Sequence, residues 1–246
     1  MTEKPFNLEG EIDWSVFDKY KPTRKAWGIH NRLKLMKAPS KQELLSMAKR
    51  IEFIENRALF IVLYLTGGRV SEIVETPYLY KHTYKKDEET GKVKRRKSGS
   101  PIIEATEKVP LGYPGIKKSD FNITYKDGRK LLIITLHNRK NKKVKIKNIP
   151  IPYDKEGEFI RLLDEYLDLF ETDDPIFPFS RRIAEYKMEY EFKINPHTIR
   201  SYRAIRLVVD YNFNEYKLMQ YMGWANGLPA EKYVRQNMND IVGGDY

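Results

Sequence analysis

Residues 195–235 read NPHTIRSYRAIRLVVDYNFNEYKLMQYMGWANGLPAEKYVR. The stretch opens with Asn195-Pro196, a helix-start signal, and places His197 and Arg200 one helical turn apart, so that both can face one anion. Arginine is permanently charged and its fork matches phosphate oxygens. Histidine titrates near neutrality and can move a proton. An apolar run follows (Ile205, Leu207, Val208, Val209, then Leu218 and Met222) and predicts packed helices. Gly223-Trp224 closes the run, and Tyr233 lies nine positions beyond the tryptophan. A phenol, with an ordinary pKa of about 10, needs cationic surroundings to become a nucleophile. Taken alone, the same residues also fit a surface His–Arg pair and one of 17 tyrosines.

A second segment, Thr66-Gly67-Gly68-Arg69-Val70-Ser71-Glu72, separates these alternatives. It follows an almost wholly apolar helical run, Arg57 to Leu65, which the glycines terminate. An arginine at the end of a buried helix needs an anionic partner, and Glu72, three residues on, supplies one locally. Either the two form a structural pair, or Glu72 holds Arg69 so that its free edge meets a bound phosphate.

Composition narrows the partner. The chain has 246 residues, 45 Lys and Arg against 34 Asp and Glu, and a net charge of +11, which suits a polyanion, nucleic acid first. An apolar share of 41% supports a packed core rather than global disorder. Without cysteine there is no disulfide or thiolate metal site, and the four histidines lack metal-ligand spacing. No run approaches the ~18 apolar residues of a membrane span, and MTEKPFNLEGEIDW has no secretory apolar core, so a cytoplasmic setting is expected.

Along the chain, residues 1–38 form a basic arm dotted with aromatics, whose Lys21, Arg24, Lys25, Arg32, Lys34 and Lys37 could touch DNA. Ser40 and Glu43 match a capping box, opening the folded region 39–246. A short helix from Arg69 stops before Pro77. Residues 78–118 are a basic insertion, a hairpin or loop whose Lys94, Arg95, Arg96 and Lys97 can grip phosphates. Residues 121–151 predict a three-stranded meander, with Asp127-Gly128 as the first turn and Asn138 to Asn141 as the second. Its lysines are expected mostly on the wet face. Asp154 to Phe170 has amphipathic helical spacing, and Ser180 can cap a further helix through Phe192.

These motifs, in this order, resemble the tyrosine recombinase (phage integrase) family over residues 40 to about 240. Thr66-Gly-Gly-Arg69-Val-Ser-Glu72 resembles its TG-x-R-x-S-E box, and His197-x-x-Arg200, Gly223-Trp224 and Tyr233 fall in its sequence. The resemblance implies a mainly helical catalytic domain with a small antiparallel sheet. It implies Arg69, Arg200, His197, Trp224 and Tyr233 as catalytic, Glu72 in support, and a lysine of the second hairpin loop as general acid. Counting back from Ile149-Pro150-Ile151 favours Lys142; counting forward from Leu132–Leu136 favours Lys140. Arg139 and Lys143 flank them as DNA contacts. Trp224 stands where many members have histidine, and Ser201 likewise departs from a common histidine.

The implied activity is site-specific DNA recombination through a 3′-phosphotyrosine, with no metal, ATP or other cofactor. The implied partner is double-stranded DNA, bound by a homo-tetramer that is a monomer or dimer when free, the segment from Val234 packing on a neighbour. A type IB topoisomerase and a non-catalytic DNA-binding regulator are the alternatives. Members usually carry an N-terminal DNA-clamping domain; with only the arm before the match, a catalytic fragment, a minimal enzyme, or one whose arm and 78–118 insertion replace the clamp is expected.

Overall fold

The computed structural model describes residues 38–96, 98–138, 145–225, 227–231 and 233–234. The N-terminal arm therefore lies outside the described residues, as do Lys97, Arg139, Lys140, Lys142, Lys143 and the segment after Val234.

Helix α1 (Lys41–Arg50) starts where the capping box predicts: Glu43 N donates to Ser40 Oγ at 3.2 Å, and Ser40 N donates to Glu43 Oε2 at 2.7 Å. Helix α2 (Ile54–Thr66) begins three residues earlier than its apolar run and is buried continuously from Ala58 to Thr66. It stops at Gly67, whose φ of +54° is open to glycine at little cost. A Cβ at Gly67 would also meet the Met222 sulfur at 2.9 Å, so this turn is pressed against the end of a later helix. The short α3 (Val70–Ile73) follows.

The insertion is a hairpin, wider than its basic run suggests: β1 (Thr76–Tyr84) pairs antiparallel with β2 (Ile103–Tyr113). The sequence predicts one small sheet, and the described residues contain two. Of the two readings, hairpin or loop, the hairpin is present, and its length went unread because neither face is apolar. Most of its side chains are exposed, so backbone pairing defines it and hydrophobic alternation does not.

The meander is present as β3 (Phe121–Lys126), β4 (Arg129–Asn138) and β5 (Lys145–Pro152), in the order β3-β4-β5. Alternation puts Leu132, Ile134, Leu136, Ile149 and Ile151 on one buried face. That face packs on α4 (Tyr153–Leu167), whose Phe159, Ile160, Leu163 and Tyr166 are buried in the same core as α2. Helix α5 (Arg181–Phe192) precedes α6 (Pro196–Tyr211), where Asn195 Oδ1 accepts from Thr198 N at 3.1 Å and Pro196 takes the first turn. Helix α7 (Glu215–Met222) ends at Gly223, again at positive φ.

A second cluster joins α6 to the chain's end: Ala204, Leu207, Val208, Leu218, Met222 and Ala230, with Trp224, Tyr233 and Val234 packed against it. Of the predicted apolar run, Ile205 is half-buried and Val209 is 47% exposed. Helical spacing turns them away from the Leu207–Val208 face. No described helix is long and apolar enough to cross a membrane.

Candidate active site

Arg69 precedes α3 and is held by Glu72 in two ways. Its backbone N–H donates to Glu72 Oε2 at 2.7 Å, and its Nη1 donates to Oε1 at 3.1 Å. Glu72 is buried while about a third of the Arg69 side chain stays exposed, so the carboxylate fixes the root of the guanidinium and leaves an edge free. The Tyr113 hydroxyl donates to the Glu72 carbonyl at 3.1 Å, tying the base of the ribbon to this turn.

Arg200 comes from the second turn of α6 and is 7% exposed. Its Nη1 donates to the Gly67 carbonyl and its Nη2 to the Met222 carbonyl at 2.5 Å. Both acceptors sit at helix C-termini, where carbonyls are left without intrahelical partners and carry partial negative charge. The two left-handed glycine stops thus present the cradle for one arginine. Burial, then the neighbouring Arg69, lowers the Arg200 guanidinium to about 10, still charged at neutral pH.

The aromatic residues continue outward from Arg200. Its Cζ lies 5.8 Å from the Trp224 ring centre, and the Tyr233 ring stacks on Trp224 at 5.7 Å with planes 7° apart. The Tyr233 hydroxyl donates to Ser201 Oγ at 3.3 Å. His197 is exposed and lines one cleft with Arg69, Arg200, Ser71 and Arg181. The structure therefore brings Arg69, Glu72, His197, Arg200, Trp224 and Tyr233 together. Lys94, Arg95 and Arg96 lie at the far end of the ribbon and do not line this cleft; Lys94 pairs with Asp87 at 3.5 Å, and Arg95 donates to the Gly99 carbonyl at 2.9 Å. Among the described residues, no group of three His, Asp or Glu side chains is placed to hold a metal ion.

Two site residues escape the sequence reading. Arg181, the first residue of α5, lines the cleft beside His197 and pairs with Glu185 at 2.7 Å. Lys147 is an exception to the expectation that the meander's lysines lie mostly on the wet face. It pairs across from Leu136, on the face that carries Ile149 and Ile151, and its amine lies about 3.9 Å from the Cβ position of Gly223. Burial, partly offset by Glu72 and reinforced by Arg200 and Arg69, lowers this amine to about 8. The signal was in the alternation: Lys147, Ile149 and Ile151 share a face.

The fold and site thus define a helix-rich protein with small antiparallel sheets and a cationic cleft beside a stacked tyrosine. No protein-family model and no curated protein matches the chain. Solved structures similar to it include the XerH site-specific recombinase bound to difH substrate before cleavage, at 14% identity and TM-score 0.44, over 82% of this chain and 51% of that one. The XerH post-cleavage complex on palindromic difH gives 14% identity and TM-score 0.47, over 85% and 50%. The Tn1549 transposon integrase in complex with transposon right end DNA gives 17% identity and TM-score 0.26, over 82% and 64%. The chain spans about half the length of the XerH chains. The chemistry rests on the residues themselves.

Proposed function

We propose that the chain cuts and rejoins double-stranded DNA as a site-specific recombinase, with Tyr233 joined transiently to a 3′ phosphate. The observation that carries this is the single stack of Arg200, Trp224 and Tyr233 beside the Glu72-held Arg69. Tyr233 Oη attacks the phosphorus, and the bond to the 5′ oxygen breaks. The phenol proton passes to His197, directly or through a neighbour, and the departing 5′ oxygen takes a proton from a lysine. Arg69 and Arg200 neutralise the charge that builds on the non-bridging oxygens, already in place before the reaction. Trp224 can donate its indole N–H to a phosphate oxygen but cannot carry the proton. The phosphotyrosyl bond splits one hard step into two, so a free 5′-OH can reverse it. Lys94, Arg95, Arg96, Lys97, Arg139 and Lys143 would hold the DNA backbone. Exchange between two duplexes would take four protomers.

Lys142 and Lys140 stand as proposed proton donors, and Lys147 joins them as a lysine whose amine is electrostatically coupled to Arg69, Arg200 and Glu72. As donor or as phosphate partner, Lys147 must be protonated. With its amine at about 8 in the free protein, the cleavage rate on limiting DNA is expected to fall as pH rises above about 8. The decline should approach tenfold per pH unit. In Lys147→Arg the group stays charged, so the falling limb should move to higher pH. A limb that does not move removes Lys147 from the reaction.

The test uses short nicked duplexes of randomised sequence, which trap a covalent intermediate because the cleaved fragment diffuses away. A protein–DNA adduct stable to detergent is expected, with mass spectrometry placing the nucleotide on the peptide containing Tyr233. Adducts accompanied only by relaxation of supercoiled DNA, without strand exchange, would favour a topoisomerase. Binding without any adduct would favour a regulator.

A further inference from the structure

Ser201 follows Arg200 directly on α6, and the mechanism above gives it no role. Its hydroxyl donates to the His197 carbonyl at 3.1 Å, one turn back along the helix. That bond uses the single donor of the hydroxyl and leaves its lone pairs free to accept. The Tyr233 hydroxyl uses one of them, at 3.3 Å. The phenol is therefore held at two places: by its ring plane against Trp224, and by its oxygen against Ser201.

We propose that Ser201 is a positioning residue that docks the attacking hydroxyl of Tyr233 beside Arg200. The proposal rests on the strand-transfer function above. The stack alone leaves the phenol free to slide and turn in its plane, because ring stacking has little preference for an in-plane angle. A hydrogen bond at the oxygen removes that freedom. Since Ser201 and Arg200 are neighbours on one rigid helix, the docking point and the guanidinium keep a fixed relation. The serine is neutral and passes no proton out of the site, so proton acceptance stays with His197. Holding a reacting atom in near-attack geometry accelerates the step without changing how tightly substrate binds.

The experiment measures single-turnover adduct formation by the full chain on saturating nicked duplex, with DNA affinity measured in parallel. Ser201→Ala is expected to slow adduct formation about threefold to tenfold, the span of one neutral hydrogen bond, with affinity unchanged. Ser201→Thr should recover most of the rate, because a threonine hydroxyl can also bond the carbonyl one turn back while accepting from the phenol. Ser201→Ala reacting at the wild-type rate overturns the proposal. So does a threonine variant as slow as the alanine one, since the hydroxyl would then not be what matters. Wild-type protein that forms no adduct brings down the strand-transfer function itself, and the docking role with it.

Discussion

Tyr233→Phe is expected to abolish the covalent adduct while leaving DNA affinity within about twofold of wild type. The change removes one oxygen and nothing else from the stack. The phenylalanine ring keeps the same face against Trp224, and among the described residues the hydroxyl it loses bonds Ser201 Oγ. Losing one half-buried neutral hydrogen bond costs about 0.5–1.5 kcal/mol of stability, too little to unfold a domain of this size. The reaction, by contrast, loses its nucleophile, and single knockouts of a nucleophile lower turnover by on the order of 10⁴-fold or more. The measurement pairs a gel-shift titration with denaturing electrophoresis of the same samples. An adduct that survives in the phenylalanine variant moves the nucleophile elsewhere. Affinity lost together with the adduct would instead mark Tyr233 as a structural residue of the second apolar cluster.

The separation between binding and chemistry follows from how the site is assembled. Arg69 is fixed by Glu72 within one turn of chain, and Arg200 by two carbonyls from different helices. Neither arginine depends on Tyr233 for its place. Removing the phenolic oxygen should therefore leave the phosphate cradle intact.

Much of this was legible because the determinants are local. The Ser40–Glu43 box, the Gly67 stop, the Asn195-Pro196 start and the Arg69–Glu72 pair each involve residues within four positions, and spacing reads such pairs directly. Lys147 was legible in principle, from alternation with Ile149 and Ile151, but a lysine-rich strand hid it. The ribbon was legible as a hairpin or loop, but its length was not, since neither face is apolar. Glu156 and Arg203 could not have been paired from sequence: 47 residues separate them, and the packing of both α4 and α6 on α2 brings them together.

That pair carries the largest expected effect on stability. Arg203 is fully buried one turn beyond Arg200, and its Nη1 donates to Glu156 Oε1 at 2.6 Å. Its Nη2 donates to the Tyr221 hydroxyl at 3.0 Å, and Tyr221 in turn donates to the Leu65 carbonyl at 2.6 Å. The rings of Tyr64, Tyr211 and Tyr221 stand 5.2, 5.3 and 5.5 Å from its Cζ, a cage whose faces favour a cation. Tyr211 also donates to Glu156 Oε1 at 2.6 Å, so one carboxylate oxygen serves both. Glu156→Ala would strand a guanidinium in the core with no anionic partner among the described residues, only the Tyr221 hydroxyl and the tyrosine ring faces. The expected cost is about 3–5 kcal/mol, the range for breaking a buried ion pair from one side. At about 2–4 °C per kcal/mol for a domain of this size, the melting temperature should fall by roughly 6–20 °C. Replacing both partners, Glu156→Leu with Arg203→Met, removes the stranded charge and should recover most of that loss. Thermal unfolding of wild type, the single variant and the double variant decides the matter. A double variant no more stable than the single one would mean that the tyrosine cage needs the cation itself. Because α6 carries Arg200 and Ser201 as well as Arg203, the same loosening should slow adduct formation in Glu156→Ala even at temperatures where it remains folded.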